Sequence, residues 1–236
     1  MKKTILGLVL IVMCCACTTA LPANSLYKQK IVYNDQEKVT YIYEYDEGTI
    51  VKETKNGEVV LENTVDENGR VVETNYIDGE KVTYEYQGDY LIKKISNEGD
   101  KSEYFYDDLG NEVKSIQSID GELITAMKEY QGGLLAVVKY YAGAENEFMH
   151  CEEYKYNENG DLIEILSSDH DGNIVNKKEF IVENEKIVET KEYVYTEDEE
   201  MVYTTRFEYD QNNNLMKEYL KINEGEEKLS IEYIYK

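Results

Sequence analysis

One motif recurs nine times along this chain: an aromatic or β-branched anchor, then a polar turn that usually holds a glycine. The anchors are Tyr45, Val65, Tyr86, Tyr106, Tyr130, Tyr156, Val182, Tyr209 and Tyr235. Successive steps are 20, 21, 20, 24, 26, 26, 27 and 26 residues. Self-similarity at such a period marks an architecture in which each unit buries its apolar surface only by stacking on its neighbours. A chain of this kind builds an extended surface rather than a deep catalytic pocket.

Around the anchors, apolar and polar residues alternate with the period-2 signature of a half-buried strand. Val39, Tyr41, Tyr43 and Tyr45 share one face, against Thr40, Glu44 and Asp46 on the other. Val82, Tyr84 and Tyr86 repeat the pattern, as do Tyr203, Thr205, Phe207 and Tyr209, and Leu229, Ile231, Tyr233 and Tyr235. A second turn falls half a unit later, at Asn56-Gly57, Asp78-Gly79, Asp120-Gly121, Asp171-Gly172 and Glu224-Gly225. Asn-Gly and Asp-Gly between alternating segments signal hairpins, because the primed turns need positive φ. Two turns per unit give two strands per unit, and so an all-β antiparallel meander of about eighteen strands.

The strands leaving the anchors read as two-sided: Leu162 and Leu166 oppose Ile163 and Ile165, and Leu215 and Tyr219 oppose Met216, Leu220 and Ile222. That mixture predicts apolar cover on both faces over part of the sheet. A flat sheet of this many strands is disfavoured because twist makes it curl. The expected architecture is one sheet coiled into a trough or partly rolled shell, with a two-layer sandwich as the alternative.

The N-terminal segment reads as a targeting device. Lys2 and Lys3 precede the apolar run Ile5–Met13, which is too short to span a bilayer, and Cys14-Cys15-Ala16-Cys17 follows. Ala16-Cys17 resembles the lipobox of bacterial lipoproteins and makes Cys17 the expected lipidation site, with Cys15 as competing acceptor. An ordinary secretory signal cleaved before Asn24 is the other reading. The expected organisation is a signal peptide over 1–17, a tether over 18–26 and a repeat domain over 27–236. It places the protein in the cell envelope, extracytoplasmic and held to a bacterial membrane through its lipid. Removing Lys2 and Lys3 from the 25 basic residues leaves 23 against 49 acidic ones, a net charge of −26. So acidic a surface excludes nucleic acid as a partner.

Tyr84-Glu85-Tyr86-Gln87-Gly88, Glu103-Tyr104-Phe105-Tyr106-Asp107-Asp108-Leu109-Gly110 and Glu153-Tyr154-Lys155-Tyr156-Asn157-Glu158-Asn159-Gly160 resemble the YD repeats of the Rhs superfamily. That pattern sets a Tyr-Asp pair before a short Gly-containing turn, then an apolar pair and a second Gly. The resemblance covers roughly residues 27–236 and implies a β-meander. In large Rhs and toxin-complex proteins such repeats wind into a hollow shell around a C-terminal toxin. Here the units are too few for a large shell and no cargo domain follows Tyr235-Lys236, so the resemblance implies the fold and not toxin delivery. Short YD-repeat lipoproteins of bacteria are the nearer comparison.

Catalytic chemistry is not legible. The alternation sets His150 on the tyrosine face and Cys151 on the opposite one, a poor geometry for a Cys/His pair or a zinc site. His170 stands in a polar turn. No serine elbow, phosphate loop, HExxH or CxxC pair occurs, so neither catalytic residues nor a cofactor are expected. The acidic turns, such as Asp66-Glu67-Asn68 and Asp107-Asp108, offer oxygen ligands but no spaced calcium loop with a distal Glu, so no metal site is expected either.

The 23 tyrosines remain. They read first as a cross-strand aromatic ladder. Tyr84, Tyr86, Tyr104, Tyr106, Tyr154 and Tyr156 are the candidate ligand-binding aromatics, stacking on a glycan or contacting a protein ligand. The expected function is a membrane-anchored, surface-exposed binding or adhesion scaffold. The alternative is an envelope-associated structural protein that pairs with a partner through a sheet edge. Tyr86→Ala is expected to cost more stability than Asp120→Ala, whose turn retains Gly121 for the positive φ.

Overall fold

A computed structural model describes residues 26–34, 37–196 and 199–235. Residues 1–25, and with them Cys17, the expected signal peptide and most of the expected tether, lie outside the described residues. The repeat folds as eighteen strands: β1 (Tyr27–Tyr33), β2 (Lys38–Asp46), β3 (Thr49–Lys55), β4 (Glu58–Val65), β5 (Val71–Tyr76), β6 (Lys81–Gln87), β7 (Tyr90–Ser96), β8 (Lys101–Tyr106) and β9 (Glu112–Ile119). The second half is β10 (Glu122–Gln131), β11 (Leu134–Ala142), β12 (Glu147–Tyr156), β13 (Leu162–Asp169), β14 (Ile174–Glu183), β15 (Lys186–Tyr195), β16 (Glu200–Tyr209), β17 (Leu215–Ile222) and β18 (Lys228–Tyr235).

Every strand pairs antiparallel with its sequence neighbours, and β1 pairs with β18 as well as with β2. The sheet is therefore a closed up-and-down barrel. This corrects the expected open trough: a twisted sheet of this length meets its own first strand, and closure leaves no edge unpaired.

Each anchor ends an even-numbered strand and faces an irregularity in the next strand. Glu44 pairs with Lys52 but Tyr45 pairs with Ile50, so Val51 is an extra residue. The same step recurs at Val65, Tyr86, Tyr106, Tyr130, Tyr156, Val182 and Tyr209, where the extra residues are Val72, Ile92, Val113, Ala136, Ile163, Val188 and Met216. These are β-bulges, two residues opposing one, and each reverses the in–out alternation of the strand that carries it. That reversal accounts for the two-sided reading of the odd-numbered strands. Leu162 and Ile165 share a face across the bulge at Ile163, although they sit three residues apart.

The turns at the anchor rim alternate in kind. β2–β3, β6–β7, β10–β11 and β14–β15 are joined by tight two-residue turns, and β4–β5, β8–β9, β12–β13 and β16–β17 by five-residue turns. In the five-residue type an Asp or Asn side chain caps the turn. Oδ1 of Asp107 accepts from the backbone N–H groups of Leu109 and Asn111, and Oδ2 accepts from the Asn111 amide. Asp66, Asn157 and Asp210 cap in the same way.

All the most deeply buried residues lie on the tyrosine face, apart from Ile31 and Thr125. Val39, Tyr43, Thr74, Val82, Ser96, Ser115, Val138, Ile165, Phe180 and Thr190 are among them. Such concentration identifies the concave, inward side, where side chains converge. The opposite face carries mid-strand ion pairs such as Lys93–Glu85, Lys139–Glu129, Lys155–Glu164 and Arg206–Glu208. The alternative two-layer sandwich is also excluded. Inner rings such as Tyr41, Tyr84 and Tyr104 stay half-exposed, whereas two sheets pressed together would seal them.

Candidate functional site

The inner wall is built from two rows of side chains. The first row is the anchors. Tyr86 donates its hydroxyl to the Val71 carbonyl at 2.8 Å, Tyr106 to Leu91 at 2.8 Å and Tyr130 to Glu112 at 3.0 Å. Tyr156 donates to Leu135 at 2.9 Å, Tyr209 to Ile187 at 2.7 Å and Tyr235 to Leu215 at 2.8 Å. Each acceptor is the first residue of a bulge on the preceding strand, where the ladder is interrupted and a carbonyl needs a donor. At Val65 the anchor has no hydroxyl, and Asn63 on the same face donates to the equivalent Ile50 carbonyl at 2.8 Å instead. The anchor row is thus a set of locks between adjacent units. Burial raises the phenol pKa of Tyr86 and Tyr209, keeping each hydroxyl a donor at neutral pH.

The second row stands two residues before each anchor: Tyr43, Asn63, Tyr84, Tyr104, Lys128, Tyr154, Phe180, Phe207 and Tyr233. Aromatic residues fill it in every unit except those of Asn63 and Lys128. Their polar ends meet other inner side chains. The Tyr84 hydroxyl lies 3.1 Å from that of Thr74, and Tyr233 donates to Glu218 at 2.6 Å. Lys94 reaches over the Tyr84 ring at 5.6 Å.

The six aromatics named from the sequence all stand on this inner face, but the structure sorts them into different roles. Tyr86, Tyr106 and Tyr156 spend their hydroxyls on backbone locks, whereas Tyr84, Tyr104 and Tyr154 belong to the second row. Sequence reading missed the polar cluster beside Tyr154. Glu152 is 5% exposed and accepts from the hydroxyls of Tyr154 at 2.6 Å and Tyr140 at 3.3 Å. The His150 ring stacks on Tyr140 at 4.1 Å, and its Nε2 is buried without a hydrogen-bond partner. Burial holds His150 below the usual imidazole range, with Glu152 pulling weakly the other way, so the ring is neutral near pH 7. Lys128 and Glu112 form a largely enclosed ion pair at 2.8 Å on the same face. Alternation alone sets Glu152 and Lys128 on the inward face, but it does not say which partners they meet there.

Cys151 faces outward, away from His150, as the alternation requires. Among the described residues no group of three or more His, Cys, Asp or Glu side chains is placed to hold a metal ion. The capping carboxylates of the acidic turns are already engaged. Asn111, Asn214 and Arg70 hold Asp107, Asp210 and Asp66 below the usual carboxylate range, mainly by side-chain hydrogen bonds and then by backbone N–H donors.

No family model matches this chain, and no curated protein matches it. Among solved structures it is similar to the TcdB2-TccC3-TEV crystal structure at 11% identity and a TM-score of 0.35, covering 87% of this chain and 16% of that one. It is also similar to the Photorhabdus luminescens Tc holotoxin pore at 11% identity and a TM-score of 0.36, covering 82% and 14%. A porin-like protein from Bacteroides vulgatus aligns at 10% identity and a TM-score of 0.48, covering 76% of this chain and 95% of that one. These are resemblances between β-structures, and no activity is read from them.

Proposed function

We propose that the protein is a non-catalytic binding scaffold of the YD-repeat lipoprotein kind, tethered to the cell envelope through Cys17, that takes a glycan on its inner wall. The observation that carries this reading is the second row of aromatics. Five of its seven rings are partly exposed inside the barrel, as the anchors are, while the anchor hydroxyls join the units through backbone carbonyls. Rings interleaved with carboxylates and hydroxyls offer a sugar both a stacking face and hydrogen-bond partners. The same surface would accept aromatic or basic side chains of a protein ligand. Pairing through a sheet edge is less well supported, because the closed ring presents none.

The test is a glycan array probed with the detergent-solubilised full chain, followed by titration of any retained sugar. The chain has no tryptophan, so binding reads out directly as a change in tyrosine fluorescence. Replacing Tyr84, Tyr104 and Tyr154 together by Ala should abolish retention, whereas Tyr86→Phe should leave it intact. Retention that survives the triple change would remove the inner row from the argument.

A further inference from the structure

Eight of the nine anchor-to-bulge junctions are closed by a turn, and the ninth, between β18 and β1, has no covalent link. Its ladder nevertheless repeats the pattern of the others. Tyr27 pairs with Tyr235 and Gln29 with Ile234, leaving Lys28 as the extra residue. At the β4–β5 junction Val71 pairs with Val65 and Glu73 with Thr64, leaving Val72. The seam therefore has the register of an internal junction without its connection. Across its outer face the Tyr33 hydroxyl donates to Glu232 at 3.0 Å.

Intramolecular closure wins at such a seam because the rest of the ring holds the two edges at high effective concentration. The ladder itself does not distinguish this chain's β1 from that of another copy. We infer that the seam can open and then take a second copy of the same chain as its partner. The seam opens, and β18 of one chain accepts β1 of the other, giving a two-chain ring or head-to-tail chains. An opened seam exposes two strand edges of matching register, which is the condition for exchange of this kind. This inference is independent of the glycan reading, since it concerns the backbone of the seam and not the inner rings.

The experiment uses the full chain in detergent with Val32→Cys and Ile231→Cys, which are cross-strand partners at the seam, in a Cys151→Ser background. Chains labelled with ¹⁴N and ¹⁵N are mixed, incubated at high concentration, then oxidised, and the peptides joined between positions 32 and 231 are read by mass spectrometry. Mixed-isotope linkages should form in proportion to concentration, and oxidation before mixing should prevent them. Same-isotope linkage alone at every concentration overturns the inference. Native mass spectrometry of mixed unsubstituted chains is the second measurement, with Tyr33→Phe expected to speed exchange at least severalfold. Absence of mixed-label dimers in both chains overturns the inference equally.

Discussion

At the scale of single residues, the anchor hydroxyl and the ring that carries it can be separated. Tyr86→Phe keeps the ring and removes one hydrogen bond to the Val71 carbonyl, so urea unfolding should report a loss of about 0.5–1.5 kcal/mol. Tyr86→Ala also removes a half-buried ring and should cost more, though less than the about 3–5 kcal/mol of a sealed core aromatic. Asp120 itself has φ of +50° beside Gly121 at +81°. Both central positions of that turn need positive φ, so Asp120→Ala places a Cβ in the left-handed region at a cost of about 1–2 kcal/mol. The gap between the two alanine variants is therefore narrower than the sequence implies.

The capping carboxylates give a pH dependence with a definite sign. Asp66, Asp107, Asp169 and Asp210 are all depressed in the folded state, each first by a side-chain hydrogen bond from the residue four positions on. A depressed carboxylate contributes stability above its unfolded pKa of about 3.9, and that contribution is lost as pH falls through the folded value. Stability should hold at neutral pH and fall steeply below about pH 4. Asn157 already caps the equivalent turn without a charge. Asp107→Asn should therefore fold normally at pH 7 and show a shallower acid limb in circular dichroism melts. An unchanged acid limb would mean that these carboxylates do not set it.

At the scale of the strand, the bulge is the feature that organises each unit. Inserting one alanine between Lys93 and Lys94, beyond the bulge, would shift the rest of β7 by one residue between β6 and β8. That would turn Lys94 and Ser96 away from the inner face, where Ser96 is buried. The expected thermal destabilisation exceeds the about 3 kcal/mol of an ordinary core truncation. Stability within about 1 kcal/mol of the parent would show that β7 absorbs the extra residue as a second bulge. Strand number, turn positions and the inward face were legible because alternation and Asn-Gly or Asp-Gly pairs are local signals. The bulges were written less plainly. All but the one at Glu112-Val113 lie in an apolar doublet such as Ile50-Val51, Leu91-Ile92 or Leu162-Ile163, which reads as a strand with two apolar faces until the partner strand is known. Glu152 was passed over for the opposite reason, since a lone carboxylate in a Glu-rich chain has no signature until its two tyrosine donors are placed around it. Glu152→Ala would remove the acceptor that these two hydroxyls share and should cost about 1–3 kcal/mol, whereas Glu152→Gln should retain most of the stability.

At the scale of the whole molecule, closure was out of reach of the sequence. The β1–β18 pairing joins residues some two hundred positions apart and depends on twist accumulated over every strand between them. A round ring of eighteen strands, spaced about 4.8 Å and tilted about 40°, has a radius of about 18 Å. A compact chain of about 210 residues has a radius of gyration of about 17 Å. Contrast-matched scattering from the detergent-solubilised chain should therefore give a value nearer 20 Å, and one at 17 Å would indicate a flattened section. Metabolic acyl labelling should vanish in Cys17→Ala, and label that persists would assign the lipid to Cys15. The register of the seam also gives the molecule nine interchangeable origins. A chain whose Tyr235 is joined to Tyr27 by a short Gly-containing turn, and which is cut instead between Gly132 and Gly133, should fold to the same ring. Its first residue would then emerge half a circumference away. A lipid placed there would hang the barrel from the far side of the same rim, changing which part of the wall faces the membrane without altering a single strand pair.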